Sequence, residues 1–109
     1  MQQYPDFRVK PASWLARLAA WKLGVPAVAI TIGRTIHLHR AEPAELLSNQ
    51  AWLRHELCHV EQFRRFGMPR FIFLYLWESF RRGYTQNRFE VEARAAETNP
   101  AYDPRLSAS

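Results

Sequence analysis

The chain has 109 residues, of which 48% are hydrophobic and 14% aromatic, and its formal net charge is +5. This length and composition predict one folded domain with a modest core and exclude an intrinsically disordered chain. The basic excess comes almost entirely from arginines that are spread along the whole chain. No groove-binding motif accompanies them, so we do not expect nucleic acid to be a partner.

The cysteine content and the apolar runs limit the class of protein further. Cys58 is the only cysteine, which excludes an internal disulfide and a cysteine-based zinc site. The longest apolar run, Phe71 to Trp77, is far shorter than the ~20 residues that cross a bilayer. Residues 1–10 lack the apolar core of a signal peptide. We therefore expect a cytoplasmic protein without a transmembrane span.

The first half of the chain predicts one helix and one β-hairpin. Apolar residues spaced three and four apart predict a helix that begins after Ser13 as N-cap and ends at Gly24. The β-branched run Ala27 to Ile32 and the alternating run Thr35 to His39 flank a glycine turn at residues 33–34. This pattern is typical of a hairpin.

Three further helices are predicted after the hairpin, which makes the fold class α+β. The first runs from Pro43 to Gly67, and the second runs from Arg70 to Arg82 and stops at Gly83. The last, over residues 88–97, is rich in alanine. We expect residues 1–98 to form a single domain and residues 99–109 an irregular or disordered tail.

A chemically informative motif, His55-Glu56-Leu57-Cys58-His59, lies inside the long helix that begins at Pro43. Four residues advance a helix by about 400°, so His55 and His59 emerge on one face and can bind the same metal ion. Glu56 can then reach a metal-bound water without being a ligand itself. Zn²⁺ lowers the pKa of such a water to about 7, and a carboxylate can accept its proton. The motif predicts two metal ligands and a general base.

The run Leu53 to Phe63 resembles the active-site helix of gluzincin-type zinc metallopeptidases. It is especially similar to small bacterial metallopeptidase-like domains of unassigned function, whose helix continues as His-Val-x-Gln. In such families a hairpin precedes the helix, and a glutamate that opens a Glu-x-Glu-Ala stretch is the third ligand. Glu90 to Ala93 matches that stretch, so the resemblance extends from about Ala27 to Ala96. It implies a minimal zincin-like core.

The resemblance also implies the ligand set. Zn²⁺ would be held by His55, His59 and Glu90, with Glu92 as the alternative third ligand, although its side chain leaves the helix about 200° away. Other divalent ions such as cobalt, manganese or nickel fit the same ligands. Related membrane-embedded and secreted enzymes carry an aspartate four residues after the glutamate, where it supports a ligand histidine. This chain has Arg94 there.

These features together predict a zinc-dependent peptidase with a peptide or protein substrate. Glu56 would activate the water and pass its proton to the leaving amine. Tyr84 is the candidate for stabilising the oxyanion, and Tyr75 is the second candidate. The substrate would add to Thr35–Arg40 as the edge strand of the sheet. A metal-stabilised binding module that cleaves nothing is the alternative, and a zinc-independent helical adaptor is a third hypothesis.

Three residues near the motif have less specific interpretations. His37 and His39 share one face of the second strand, and we interpret them as half-exposed strand residues rather than extra ligands. Cys58 points about 100° away from His59 on the helix, which favours the role of a small buried hydrophobic side chain.

Two apolar segments have two interpretations each. The stretch Phe71 to Trp77 is apolar on all sides, and the first helix carries Trp14 and Trp21 on one stripe. Burial in the core is the favoured interpretation. A homodimer contact or a membrane-surface contact is the alternative, because so small a domain cannot bury all of these side chains.

Overall fold

The computed structural model describes residues 7–25 and 28–99, and within these ranges the fold is α+β, as predicted. The elements in chain order are β1 (Arg8–Lys10), α1 (Trp14–Leu23), β2 (Val28–Ile32), β3 (Thr35–His39), α2 (Pro43–Ser48), α3 (Gln50–Phe66), α4 (Met68–Gln86) and α5 (Arg88–Ala96). The predicted tail from residue 100 onward lies outside the described residues. None of the helices in the described ranges is both long enough and apolar enough to cross a membrane.

The three strands form one mixed sheet in the order β1-β3-β2. The hairpin is confirmed: β2 pairs antiparallel with β3, so that Val28 lies opposite His39. β1 pairs parallel with β3 on its other side, with Arg8 opposite Thr35. The prediction that Thr35–Arg40 forms an edge strand is therefore wrong. β1, whose short polar sequence gave no strand signal, covers that edge, and β2 is an edge strand instead.

The first helix has the predicted ends, but its N-cap residue makes an unexpected contact. α1 follows Ser13 and ends at Gly24, whose φ of 71° lies in the left-handed region that glycine adopts without steric cost. The Ser13 side chain makes no capping hydrogen bond. Its hydroxyl instead lies 2.8 Å from Nδ1 of His37 on β3. This contact ties the start of α1 to the central strand.

The predicted helix from Pro43 to Gly67 is divided into α2 and α3 at Asn49. The backbone of Asn49 is extended, and its side-chain oxygen accepts a hydrogen bond from the Trp52 N–H at 3.0 Å. Asn49 thus acts as the N-cap of α3, because asparagine oxygen satisfies a free N–H at a helix start. The motif helix α3 begins anew at this point and runs unbroken to Phe66.

The predicted stop at Gly83 is confirmed as a break in the helix. The backbone of this glycine, with φ 81° and ψ 163°, is not helical, so the segment α4 consists of two helices that meet at a kink. The segment ends at Asn87, whose side-chain oxygen accepts a hydrogen bond from the Phe89 N–H at 2.8 Å and caps α5. The kink and the cap set the direction in which α5 returns across α3.

Helix α3 packs against the sheet on one side and against α4 and α5 on the other. Leu53, Leu57 and Val60 meet Ile36 and Leu38 of the central strand in the largest buried cluster. Two further clusters join α3 to the later helices; their buried members are Cys58, Ala93 and Ala96 in one, and Phe63, Phe71 and Phe89 in the other. Because α3 is packed against both the sheet and the later helices, its buried side chains are held in fixed directions.

The apolar segments differ from the favoured prediction. Within Phe71 to Trp77 only Phe71 is buried, while Phe73 and Trp77 are exposed. Trp14 and Trp21 on α1 are exposed as well. The prediction that these segments lie wholly in the core is wrong, because each helix buries its other face and no element of the described residues covers the exposed side chains.

Candidate metal centre

The histidines of α3 and the first glutamate of α5 converge at one point. Nε2 of His55 lies 3.1 Å from Oε1 of Glu90, and Nε2 of His59 lies 3.3 Å from the same oxygen. The ligand atoms that these residues offer all lie within 4.8 Å of one another. His59 and Glu90 are buried and His55 is partly exposed. This group can hold a metal ion.

The donor set fits a small divalent cation. Two imidazole nitrogens and one carboxylate oxygen are a common zinc ligand set, with metal–ligand distances of ~2.0–2.2 Å. Around a tetrahedral zinc such ligands lie about 3.3 Å apart, and the nitrogen–oxygen distances of 3.1 and 3.3 Å are close to that separation. The ligand set indicates a divalent cation of this kind rather than zinc in particular, because cobalt, manganese and nickel accept the same donors.

Each histidine is held in place through its second ring nitrogen. Nδ1 of His55 lies 2.9 Å from Oε2 of Glu97, and Nδ1 of His59 lies 2.9 Å from Oε1 of Gln62. The amide nitrogen of Gln62 donates to the carbonyl of Phe89, which fixes the orientation of the amide. Such outer contacts orient the ring and leave Nε2 directed at the metal position.

Sequence reasoning gave neither Glu97 nor Gln62 a role of its own. The spacing of both residues in the sequence nevertheless indicates where their side chains lie. Glu97 follows Glu90 by seven residues, and Gln62 follows His59 by three. Side chains at these spacings lie on the same helix face. Glu97, three residues after Arg94, therefore provides acidic support for His55.

The two neighbours of Glu90 that the sequence analysis singled out point elsewhere. The Glu92 carboxylate accepts a hydrogen bond from the Gln62 amide at 2.7 Å, and its other oxygen lies 3.5 Å from Arg65. It is not a member of the metal-binding group. Arg94 is exposed and donates to the carbonyl of Thr85. The alternative of Glu92 as third ligand thus does not fit the observed geometry.

Glu56 is buried beside the histidines but does not join them. Its carboxylate accepts a hydrogen bond from the Thr31 hydroxyl at 2.8 Å, which connects α3 with the edge strand β2. Burial raises the pKa of Glu56, although the imidazoles of His59 and His55 act against this shift. The residue is an acceptor fixed in direction and next to the metal-binding group.

A cavity of about 330 Å³ opens beside the group, between β2, α1 and α4. His55, Glu56, His59 and Glu90 line it together with the whole of β2, and most of the remaining wall is apolar or aromatic; the other lining residues are Ala19, Phe63, Phe71, Ile72, Tyr75, Leu76 and Tyr84. The metal-binding group and Glu56 therefore face one apolar recess.

Both candidate tyrosines contribute to this cavity, in different ways. The Tyr75 hydroxyl donates a short hydrogen bond to Oε2 of Glu90. Tyr84 lies on the wall, where burial, with a further contribution from the Glu90 and Glu56 carboxylates, raises its pKa to about 12. A phenol with so high a pKa keeps its proton near neutral pH. Tyr84 is thus a hydrogen-bond donor beside the metal-binding group.

Charges within the metal-free group stabilise one another. Burial alone lowers the pKa of His55, but the hydrogen bond to Glu90 and the nearby carboxylates outweigh burial and raise that pKa to about 9. The pKa of His59 is raised for the same reasons. Burial would raise the pKa of Glu90, yet the hydrogen bonds from His55 and His59 hold it far below its usual range. The protonated pair and the carboxylate therefore form an ion cluster.

This cluster predicts how the stability of the metal-free protein depends on pH. The folded-state pKa of His55 exceeds its usual value of 6.5 and reaches about 9. Its contribution is therefore fully present below pH 6.5 and is lost as the pH rises through 9. The raised pKa values of His59 and Glu56 likewise make the free energy of unfolding fall as the pH rises.

We expect the free energy of unfolding of the chelator-treated protein to fall by on the order of 2–3 kcal/mol over that range. Urea denaturation at several pH values measures the effect. The zinc-loaded protein is the control, and its stability should not decline, because the metal replaces the protons. A metal-free protein that is equally stable or more stable at pH 9 would contradict the expectation.

The remaining polar candidates lie outside the metal-binding group. His37 is buried against Ser13, so its description as half-exposed is wrong, whereas His39 is partly exposed as expected. Neither belongs to the group. Cys58 is fully buried among Ala93 and Ala96, and its interpretation as a small buried side chain is confirmed.

One family model, that of the eCIS core domain, matches residues 15–67 of the chain. The matched segment is just under half of the sequence. It includes the sheet hairpin and the motif residues of α3, and it ends before Glu90. No curated protein and no solved structure matches the chain. The chain is thus similar to the eCIS core domain over residues 15–67, and the gluzincin resemblance stays a prediction.

Proposed function

We propose that the protein is a zinc-dependent peptidase whose metal is held by His55, His59 and Glu90. The observation that carries this proposal is the position of Glu56. It is a buried carboxylate that faces the cavity beside the metal-binding group without belonging to it. A site that only binds metal through His55, His59 and Glu90 has no need of a second carboxyl group in this place.

The protein's own residues would divide the work as follows. A bound zinc ion would supply an acidified water and a polarising charge for the substrate carbonyl. Glu56 would accept the proton of the attacking water and deliver it to the leaving amine, and the Thr31 hydroxyl would hold its carboxylate in place. Tyr84 would donate a hydrogen bond to the developing oxyanion. Glu97 and Gln62 would keep the imidazoles oriented.

The peptide would bind along β2 rather than along β3. All five residues of β2 line the cavity, and β2 forms an edge of the sheet in the described part of the chain. An extended peptide can add to such an edge through main-chain hydrogen bonds. Thr31 of this strand bonds Glu56, so a peptide held there would lie next to the general base.

The similarity to the eCIS core domain adds a biological setting. It relates the protein to injection systems and hence to protein partners in a larger assembly. A cytoplasmic location is part of the same proposal, because a chain with a single cysteine forms no internal disulfide, which suits a reducing compartment.

A metal-stabilised binding module is the second candidate function. The Thr31–Glu56 hydrogen bond favours it, because this contact gives Glu56 a structural role in joining α3 to the sheet. In that case a peptide would bind along β2 and would leave uncleaved.

Metal removal tests the proposal and separates the two candidates. We expect about one zinc ion per chain and measurable cleavage of a mixed peptide library, both lost on treatment with a chelator. Added zinc should restore cleavage. Elemental analysis and mass spectrometry of the peptides are the measurements. Stoichiometric zinc without any cleavage would support the binding module, and an absence of zinc would overturn both.

A further inference from the structure

We propose that the outward faces of α1 and α4 form a docking surface for anionic lipid headgroups at a membrane. The feature consists of two exposed apolar stripes bordered by cationic side chains, which we call the aromatic face. It uses neither the metal ligands nor Glu56, so it is independent of the proposed peptidase activity.

The α4 part of the aromatic face is an unbroken stripe of large apolar side chains. Phe73 is 66% exposed, Trp77 49% and Phe80 84%, with Leu76 between them at 61%. These positions recur every three or four residues and so lie on one side of the helix. The opposite side carries Phe71 and Glu78, which are buried against the domain. The stripe thus faces solvent, and its member Leu76 also borders the cavity.

The α1 part has the same arrangement on a shorter helix. Trp14 is 68% exposed, Leu18 54% and Trp21 77%, again at spacings of four and three. The buried side of the helix is formed by Ala16 and Ala20. Both helices border the same cavity, to which α1 contributes one wall residue and α4 several. The two stripes therefore flank one opening.

The charges of the two helices identify the partner. Every exposed charged residue on them is cationic; these residues are Arg17, Lys22, Arg70, Arg81 and Arg82. The single acidic residue is Glu78, which is 6% exposed and lies 3.5 Å from Arg82 and 3.8 Å from Arg88. The exposed acidic residues of the described ranges, Glu42 and Glu45, lie at the start of α2. This separation complements a negatively charged surface.

The shape favours a lipid surface over a peptide. A peptide binds in a groove, whereas the large side chains of both stripes project outward from the helices that border the cavity. Tryptophan, phenylalanine and arginine on the outer side of a helix are typical of segments that lie in the headgroup region of a membrane. Neither helix is both long enough and apolar enough to cross it, so the contact would be peripheral.

Vesicle binding of the full-length protein tests this assignment. We expect it to sediment with vesicles made of equal parts of phosphatidylcholine and phosphatidylglycerol, with a blue shift of tryptophan fluorescence. Pure phosphatidylcholine vesicles should bind at least about tenfold more weakly, because each cationic side chain near an anionic surface strengthens binding about fivefold. The double variant Phe73→Ser/Phe80→Ser should reduce affinity by on the order of tenfold or more.

A matched control removes two exposed apolar side chains elsewhere. Leu47 and Val91 are 40% and 46% exposed on α2 and α5. The double variant Leu47→Ser/Val91→Ser should bind anionic vesicles as the unaltered protein does. Circular dichroism of both double variants verifies that they are folded, since all four positions are exposed.

Three outcomes would overturn the lipid assignment. One is an absence of binding to anionic vesicles by the folded protein. Another is equal loss of binding in both double variants. The third is a stable dimer in dilute solution that dissociates with Phe73→Ser/Phe80→Ser, which would assign the aromatic face to a second copy of the chain.

Discussion

Replacing Glu56 by glutamine is expected to reduce peptide hydrolysis by about 10²–10⁴-fold while zinc stays bound. The amide has the size of the carboxylate and can still accept the hydrogen bond from Thr31, which preserves the link to β2. It cannot accept a proton from water, however. The initial rate on a cleaved library peptide and the zinc content per chain are the two measurements.

The control for this variant lies on the same helix. Glu61 is five residues further along α3, forms an exposed ion pair with Arg64, and is not among the residues that line the cavity. Glu61→Gln should therefore leave both hydrolysis and zinc content unchanged. If Glu56→Gln retained full activity, Glu56 could not be the general base and the proposed mechanism would be wrong.

The second large effect is expected at the third metal ligand. Glu90→Gln removes the charged oxygen that lies within 3.3 Å of both histidine nitrogens. Loss of an outer contact alone typically weakens metal binding 10–100-fold, so loss of a ligand should weaken zinc binding by more than about a hundredfold. Competition with a chromophoric chelator measures the affinity.

Glu92→Gln is the matched control, because it makes the same change two residues later on α5. Its carboxylate contacts Gln62 and Arg65 instead of the histidines. Zinc affinity should change by no more than about tenfold, through the indirect contact with Gln62. The reverse result, in which Glu92→Gln loses zinc and Glu90→Gln keeps it, would contradict the observed ligand geometry.

These experiments also separate catalysis from stability. Glu90 sits between two histidines in the metal-free protein, so its removal should change the pH dependence of unfolding as well as zinc affinity. Glu56→Gln leaves the three ligands intact and should affect hydrolysis far more than folding. Different responses of the two variants would show that the metal-binding group and the general base have distinct roles.

Much of the metal centre follows from the sequence by helix geometry. A rise of one turn places His55 and His59 on one face wherever α3 forms, and Glu56 must lie beside them. The apolar spacing that predicts α3 also places its other sides in the core. Glu90 required the family resemblance, since no local rule relates a residue of α5 to a histidine of α3.

The supporting contacts depended on tertiary structure, although their spacing gave a hint. Gln62 and Glu97 have the helical phase needed to reach the histidines, but many side chains share that phase. Only the packing of α5 on α3, through Cys58, Ala93 and Ala96, determines which of them meet. The same packing turns Glu92 toward Gln62 and away from the metal-binding group.

The sequence by itself determined the element types, the two-histidine motif and its neighbouring carboxylate, because these depend on local periodicity. Tertiary structure decided the strand order, the position of Glu90 beside the two histidines, and whether each aromatic side chain is buried or exposed. β1 pairs with β3 through backbone hydrogen bonds, and the sequence of a three-residue polar strand contains no pattern that predicts this pairing. Exposure of Phe73 or Trp21 depends on whether another layer covers its helix. Apolar character alone predicts only that removing a side chain from water lowers the free energy. The tertiary structure determines whether the protein core or another surface covers that side chain.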